Sequence, residues 1–283
     1  VSFITYIENK PELRSYTCLP SDTDKGRVSV AVKKHKDSRG GSDYMRSLQP
    51  GHRISMTLPE NRFELSWHSS EYLLIAGGIG ITPIYSMAQA LAAKAKKVRL
   101  AYAVHTREES IFADKLLQTS RLDFELFVSN ENNPMDIEQE ISRTSKDAEL
   151  YFCGPLRMLD DTRRAWKTAG RETGSFHFEM FGDSGNAPAE EFKAILPAYK
   201  KTVHVKQGQT LLSAMMEAGI PMISDCNRGE CGLCSVGIVH STSEIDHRDV
   251  FFSSTEKQEN KKMCACVSRA VGGTVTIDTG YRK

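Results

Sequence analysis

The spacing of apolar positions changes twice along the chain, marking out three regions. Over the first seventy residues apolar and polar side chains alternate in short runs, at 2–7, 15–19, 28–33 and 53–58, separated by turn-forming clusters. A period of two predicts antiparallel β-strands. From residue 71 the pattern becomes block-like. A short apolar strand at 72–76 leads into the turn Gly77-Gly78-Ile79-Gly80-Ile81-Thr82-Pro83, then into an alanine-rich helical pattern over 84–95. Strand patterns at 98–104, 124–128, 150–153 and 176–178 follow, with helical stretches around 111–119, 135–145 and 158–169. Alternating strand and helix predicts a parallel sheet covered on both faces. The small, polar, proline-bearing run 183–191 reads as a linker. Beyond it comes a strand at 202–206, a turn at Gln207-Gly208-Gln209, and a helix that Thr210 can cap. Its expected inner face is Leu211, Leu212, Met215, Met216 and Ala218, and strands follow at 235–239 and 274–278.

These changes divide the chain into 1–70, 71–182, a linker at 183–195, and 196–283. A length of 283 residues is enough for two or three such domains, each with its own core. A formal net charge of +1 gives no reason to expect nucleic acid or an anionic membrane as partner. The longest mostly apolar run, 73–84, is broken by three glycines and is too short to span a bilayer. No signal-peptide pattern opens the chain, so a reducing cytoplasm is expected. The sequence starts at Val1, without methionine and already in strand alternation, which suggests that further residues precede it.

Chemistry concentrates near the end, in Cys226-Asn227-Arg228-Gly229-Glu230-Cys231-Gly232-Leu233-Cys234, with Cys264 and Cys266 downstream. Three cysteines separated by four and then two residues, with a fourth further on, is the plant-type spacing for a 2Fe–2S cluster. Two bridged irons need four thiolates converging on a small volume, so three come from one tightly wrapped loop. Gly229 and Gly232 fall between the ligands, where such a loop needs positive φ and where backbone N–H groups can approach sulfur. A structural zinc site is the alternative, although zinc ribbons usually use two separate C-x2-C turns. Seven cysteines is an odd number, which argues against a disulfide framework. The eight histidines are scattered and no Cys-x-His pair occurs, so the chain carries no Rieske centre of its own.

Two glycine-rich turns are weaker signals. The stretch Lys36-Asp37-Ser38-Arg39-Gly40-Gly41-Ser42, running into a short helix over 43–48, is either a phosphate-holding turn or a plain surface loop. The turn at 77–83 lies at the carboxyl end of the first strand, where parallel sheets bind ligands, but it is not G-x-G-x-x-G.

In sequence order these signals resemble the phthalate dioxygenase reductase family. The motifs are Arg14-Ser15-Tyr16-Thr17, Ser38-Arg39-Gly40-Gly41-Ser42, Gly77 to Pro83, Cys153-Gly154-Pro155, Glu179-Met180-Phe181-Gly182 and the cysteine set. The resemblance implies a multidomain β + α/β + α+β protein. Its parts would be a flavin-binding antiparallel β-barrel, a ferredoxin-reductase-type parallel α/β nucleotide domain, and a C-terminal β-grasp 2Fe–2S ferredoxin domain. A nicotinamide gives up two electrons as a hydride, whereas a 2Fe–2S cluster accepts one at a time. A flavin between them converts one mode to the other.

The resemblance also implies roles. Arg14 would neutralise flavin phosphate, helped by Ser15 in the same motif and by Gly41 and Ser42; Tyr16 would pack on the isoalloxazine and Thr17 would bond its N5 region. Gly77, Gly78 and Gly80 would admit the NADH pyrophosphate, with Thr82 and Cys153 beside the nicotinamide and Gly154 and Pro155 completing that turn. Thr106 and Arg107 would meet the adenosine end, and Phe181 the flavin face. Cys226, Cys231, Cys234 and Cys266 would hold the cluster. Cys266 is preferred because Cys266-Val267-Ser268-Arg269 matches the family's ligand step, while Cys264 also falls within reach. FMN is implied over FAD and NADH over NADPH. The expected function is a monomeric NADH-dependent reductase feeding a Rieske-type oxygenase. The rivals are a reductase for another acceptor and a zinc-bound, nucleotide-sensing interaction module.

Overall fold

The structure, a computed structural model, describes residues 1–7, 10–20, 26–34, 40–181, 187 and 189–280. Ser38, Arg39, Gly182 and most of the 183–191 stretch therefore lie outside the described residues. The chain divides into two compact units, Val1–Glu179 and Met180–Lys283.

The first unit opens with an antiparallel hairpin of β1 (Ser2–Ile7) and β2 (Lys10–Ser15), followed by the short helix α1 (Gly41–Ser47). The second strand was expected at 15–19. The ladder instead ends with Ser15 opposite Ser2, and the Tyr16 N–H to Val1 carbonyl bond is its last rung. The expected strands at 28–33 and 53–58 supply isolated bridges, Leu19 to Ser29 and Phe3 to Met56. Val28, Met56 and Leu58 are exposed. Without a buried face, alternation does not pin a register.

The rest of this unit is the expected parallel sheet. Its strands are β3 (Glu71–Gly77), β4 (Lys97–Val104), β5 (Leu122–Val128), β6 (Glu149–Cys153) and β7 (Phe176–Glu179), in spatial order β5-β4-β3-β6-β7. Helices α2 (Ile81–Ala93), α3 (Ala113–Leu117), α4 (Ile137–Ser142) and α5 (Leu156–Thr168) fall between the strands. Every residue of β3 is buried, as expected for a central strand covered on both faces. Helix α2 starts at Ile81, three residues before the alanine-rich pattern, because Pro83 is tolerated in a first turn.

The second unit contains β8 (Phe192–Leu196), β9 (Lys201–Val205), α6 (Leu211–Glu217), β10 (Ser235–Ser241), β11 (Ile245–Asp246), α7 (Ser254–Glu259), β12 (Lys262–Cys264), β13 (Arg269–Ala270) and β14 (Thr274–Asp278). Five of its strands form one mixed sheet in the order β12-β10-β14-β8-β9, with β14 parallel to β8. All but the last residue of strand β8 falls in the 183–195 stretch expected as linker. Phe192, Ala194 and Leu196 point into the core while Lys193 and Ile195 point out, an alternation that five residues beside a polar run do not announce. Thr210 caps α6 as expected, its Oγ1 accepting from Ser213 N at 3.0 Å. Leu211, Leu212, Ala214 and Met215 are buried, but Met216 is not: it faces solvent at 54% exposure. No helix among the described residues is long and apolar enough to cross a membrane.

Candidate functional site

Three groups of sequence-predicted residues come together. In the first, Arg14 on β2 lies across the start of α1. A Cβ built on Gly41 would sit 2.7 Å from Arg14 Nε and 2.9 Å from its Cγ, so only glycine admits this arginine. Arg14 Nη1 donates to the Leu13 carbonyl at 3.1 Å, and its guanidinium pairs with Glu12. Tyr16 is half-buried against Phe3, with ring centroids 6.0 Å apart, while the Ser15 hydroxyl bonds Ser2 Oγ at 2.8 Å. Thr17 and Ser42 are half-buried. The cradle thus pairs a fixed cation with the backbone of a helix's first turn, an arrangement suited to a phosphate.

The second group lies at the carboxyl ends of β3 and β6, which are parallel neighbours. The chain leaves β3 for β4 on one side, and β6 lies on the other. Parallel sheets open a crevice at such a switch point. A Cβ on Gly80 would collide with the Cys153 carbonyl. One on Gly77 would come within 2.5 Å of Pro155 Cδ and 3.1 Å of Met158 Sδ. Glycine at 77 and 80 is thus demanded by the close packing of two turns. At Gly78 the neighbour within 4 Å is the Lys33 ammonium, 3.7 Å from a built Cβ. Thr82 is buried and its hydroxyl donates to the Ile79 carbonyl at 3.1 Å; Cys153 is buried at the end of β6. Thr106 is half-buried, and Arg107 is exposed and paired with Glu131, Nε to Oε1 at 2.9 Å. Lys33, paired with Glu109 at 3.4 Å, is a cation at this turn that the sequence reading missed, because no local pattern links residue 33 to residue 78.

The third group is the cysteine loop. Gly229 and Gly232 take φ of 75° and 73°. A Cβ on Gly229 would lie 2.6 Å from Val267 Cγ2 and 2.8 Å from Asp249 Cα, and one on Gly232 would strike the Phe251 ring. The turn this creates aims backbone N–H groups at sulfur. Arg228, Glu230 and Cys231 each donate to Cys226 Sγ at 3.4 Å. Cys234 and Cys266 bring their sulfurs to 3.1 Å. The Cys234 thiol is pulled well below its ordinary pKa by hydrogen bonds with Cys264 and Cys266, and those two rise through the same contacts and their burial. Backbone donors converging on Cys226 Sγ, with Cys234 and Cys266 sulfurs in contact, fit thiolate ligation of a 2Fe–2S cluster. Both downstream cysteines are buried and both meet Cys234, and Cys266 Sγ lies 3.1 Å from Cys234 Sγ.

Asp249 braces the loop from behind, and nothing in the sequence reading singled it out. It is fully buried. Its Oδ1 accepts from Ser268 Oγ at 2.9 Å and its Oδ2 from the Phe252 N–H at 3.0 Å, while His247 Nδ1 lies 3.8 Å away. Burial alone would push its carboxyl up, yet His247, Phe252, Lys257 and Ser268 together hold it below the usual value. The next two N–H groups, of Val250 and Phe251, both bond the Gly229 carbonyl, at 3.0 and 3.1 Å.

Comparison with known proteins agrees with this geometry. Residues 74–164 match the oxidoreductase NAD-binding domain family, and residues 196–271 match the 2Fe-2S iron-sulfur cluster binding domain family. The carnitine monooxygenase reductase subunit of Acinetobacter baumannii is 30% identical over 95% of this chain and 85% of its own length. The structure of phthalate dioxygenase reductase superposes with a TM-score of 0.74 at 27% identity, covering 98% of this chain and 86% of that one. An intact type IV self-sufficient cytochrome P450 monooxygenase gives a TM-score of 0.61 at 29% identity, covering 98% of this chain. The chain spans only 36% of that larger protein.

Two outcomes test the cysteine loop. Cys264→Ser should retain iron and acid-labile sulfide at wild-type stoichiometry, whereas Cys266→Ser should lose them, as measured by metal and sulfide analysis. Because the folded pKa of Asp249 is depressed, its stabilisation is full above the ordinary carboxylate value and is lost as pH falls through the folded one. The stability advantage of wild type over Asp249→Asn in denaturant titrations should therefore hold at pH 7 and fade below about pH 4.

Proposed function

Because the chain belongs to the family of NAD-binding, 2Fe–2S oxygenase reductases that includes phthalate dioxygenase reductase, we propose that it is the NADH-dependent reductase component of a Rieske-type oxygenase. The observation that carries this reading is the cysteine loop, whose backbone N–H groups converge on thiols already set face to face. When bound, a flavin takes hydride from NADH and passes the electrons singly to the cluster.

The chain's own residues hold and align these groups. In our reading residues 1–70 form the flavin region, with FMN as the cofactor. Arg14 neutralises its phosphate, and Ser15, Gly41 and Ser42 complete the cradle around Tyr16 and Thr17. Residues 71–182 bind NADH at the crevice between Gly78 and Gly154-Pro155, with Gly77 and Gly80 holding its two turns together. Thr82 and Cys153 border the nicotinamide, Thr106 and Arg107 the adenosine end, and Phe181 the flavin face. Cys226, Cys231, Cys234 and Cys266 ligate the cluster. A cytoplasmic setting suits seven cysteines that are all free of disulfides. The likeness to a self-sufficient P450 favours one second reading, in which the acceptor is a haem oxygenase.

Anaerobic addition of NADH to the purified holoprotein should bleach flavin and iron–sulfur absorbance together. A colourless, zinc-containing protein would refute the reductase reading. Transfer from the reduced protein to a purified Rieske oxygenase, set against a P450, decides the acceptor. Arg14→Ala should weaken FMN binding by about 2 kcal/mol, roughly thirtyfold in Kd, the loss of one charge-assisted contact, measured by fluorescence titration of the apoprotein.

A further inference from the structure

Gly78 differs from the other two glycines in the turn after β3. Gly77 and Gly80 are hemmed in by Pro155 and by the Cys153 carbonyl, so packing accounts for both. Gly78 takes a φ of 54°, and the nearest group to a Cβ built on it is an ammonium, Lys33 Nζ at 3.7 Å. Among the described residues a cation and a bare stretch of backbone thus face each other across open space.

Lys33 comes from the first seventy residues, not from the alternating strands and helices that build the sheet. A second contact holds it at the turn. Its Nζ lies 3.4 Å from Glu109 Oε1, and each of the two side chains is 36% exposed. Glu109 ends the short helical turn Arg107–Glu109 that follows β4. There its N–H donates to the Thr106 carbonyl at 3.1 Å, and its own carbonyl accepts from the Tyr102 hydroxyl at 3.2 Å. Strands β3 and β4 are parallel neighbours with Gly77 opposite Ala103, so both turns leave the sheet at the same end. The ammonium stands between them.

A half-exposed ion pair at this distance contributes little to stability. It barely offsets the entropy lost in holding a lysine in one rotamer. The placement has a clearer use in binding. Helix α2 begins at Ile81, directly after the turn, with its first N–H groups unpaired at that end. Free backbone N–H groups beside a compact point charge with three donors suit a phosphate.

We propose that Lys33 binds the pyrophosphate of the nicotinamide nucleotide at the Gly78 turn, with Glu109 holding its ammonium there until the nucleotide arrives. The inference rests on the reductase reading above, in which that pyrophosphate passes Gly77, Gly78 and Gly80. Glu109 then acts in two opposed ways. It keeps the ammonium at the turn, and it competes with the phosphate for the same charge.

ADP-ribose carries the pyrophosphate and cannot reduce flavin, so its binding to the purified holoprotein reads this contact apart from turnover. Lys33→Ala should raise its Kd about tenfold in titration calorimetry, the loss of one charge-assisted contact at a half-exposed site. Lys33→Arg keeps the charge and should stay within about threefold of wild type. Glu109→Gln keeps an acceptor for the ammonium but removes the competing charge, so it should tighten binding about threefold. Added salt should weaken binding more steeply in wild type than in Lys33→Ala. With NADH as substrate, the loss in Lys33→Ala should fall on KM and not on kcat. An unchanged Kd in Lys33→Ala overturns the proposal. So does a loss in Glu109→Gln as large as that in Lys33→Ala, which would make the pair a prop for the turn. A wild type that binds no ADP-ribose overturns the nucleotide site and the proposal with it. One that binds ADP-ribose but does not bleach with NADH overturns the reductase reading alone.

Discussion

Four thiolates must share a few ångströms, and everything in the C-terminal unit follows from making that tolerable. Like charges so close repel one another unless hydrogen-bond donors point at them. The protein supplies those donors from backbone. Arg228, Glu230 and Cys231 aim three N–H groups at one sulfur. Backbone can turn inward this sharply only where the chain adopts positive φ, which Gly229 and Gly232 allow. A loop so bent would relax if left alone. The Val250 and Phe251 N–H groups hold the Gly229 carbonyl, and the buried carboxylate of Asp249 beside them is tied to Ser268 and Phe252.

The nucleotide half solves a different problem with a similar device. Its crevice needs two strand-ending turns in near contact, and Gly80 meeting the Cys153 carbonyl brings them there. Gly77 in turn packs against the Pro155 and Met158 side chains of the neighbouring turn and helix. The Gly77–Gly80 turn and the cysteine loop both adjoin strands whose side chains fill a core. That division suits an electron-transfer protein, in which the cofactors carry the chemistry and the chain supplies fixed geometry.

The segment that enters the C-terminal unit belongs to the same logic. Its anchors, Glu230, Asp246, Arg248 and Arg269, come from the loop that carries the cysteines, from β11 and β13, and from the stretch just after β11. Asp246 and Arg269 face each other in the small ladder of β11 and β13, and Ser268, beside Arg269, bonds Asp249. The cysteine loop and the incoming chain therefore share one support.

Much of this was legible without coordinates, for a stated reason. Ligand spacing within 226–234 is a local property, and so is the alternation of strand and helix after residue 71; both survive in a one-dimensional string. Thr210 as a cap is likewise local, since its partner is three residues away. What failed were properties set by distant neighbours. The strand expected at 15–19 became 10–15 because its partner determined where pairing stops. Strand β8 hid beside a polar run, and Met216 faced outward because the core needed only Met215. The glycines at 77 and 80 were legible as a turn, but their packing against Cys153 and Pro155 was not. Asp249, Lys33 and Glu230 had no local signature at all. Cysteine spacing and hydrophobic period thus determined the domain classes and the kind of metal group. Tertiary packing alone decided which polar side chains brace them, because residues far apart in the chain meet only once the cores have closed.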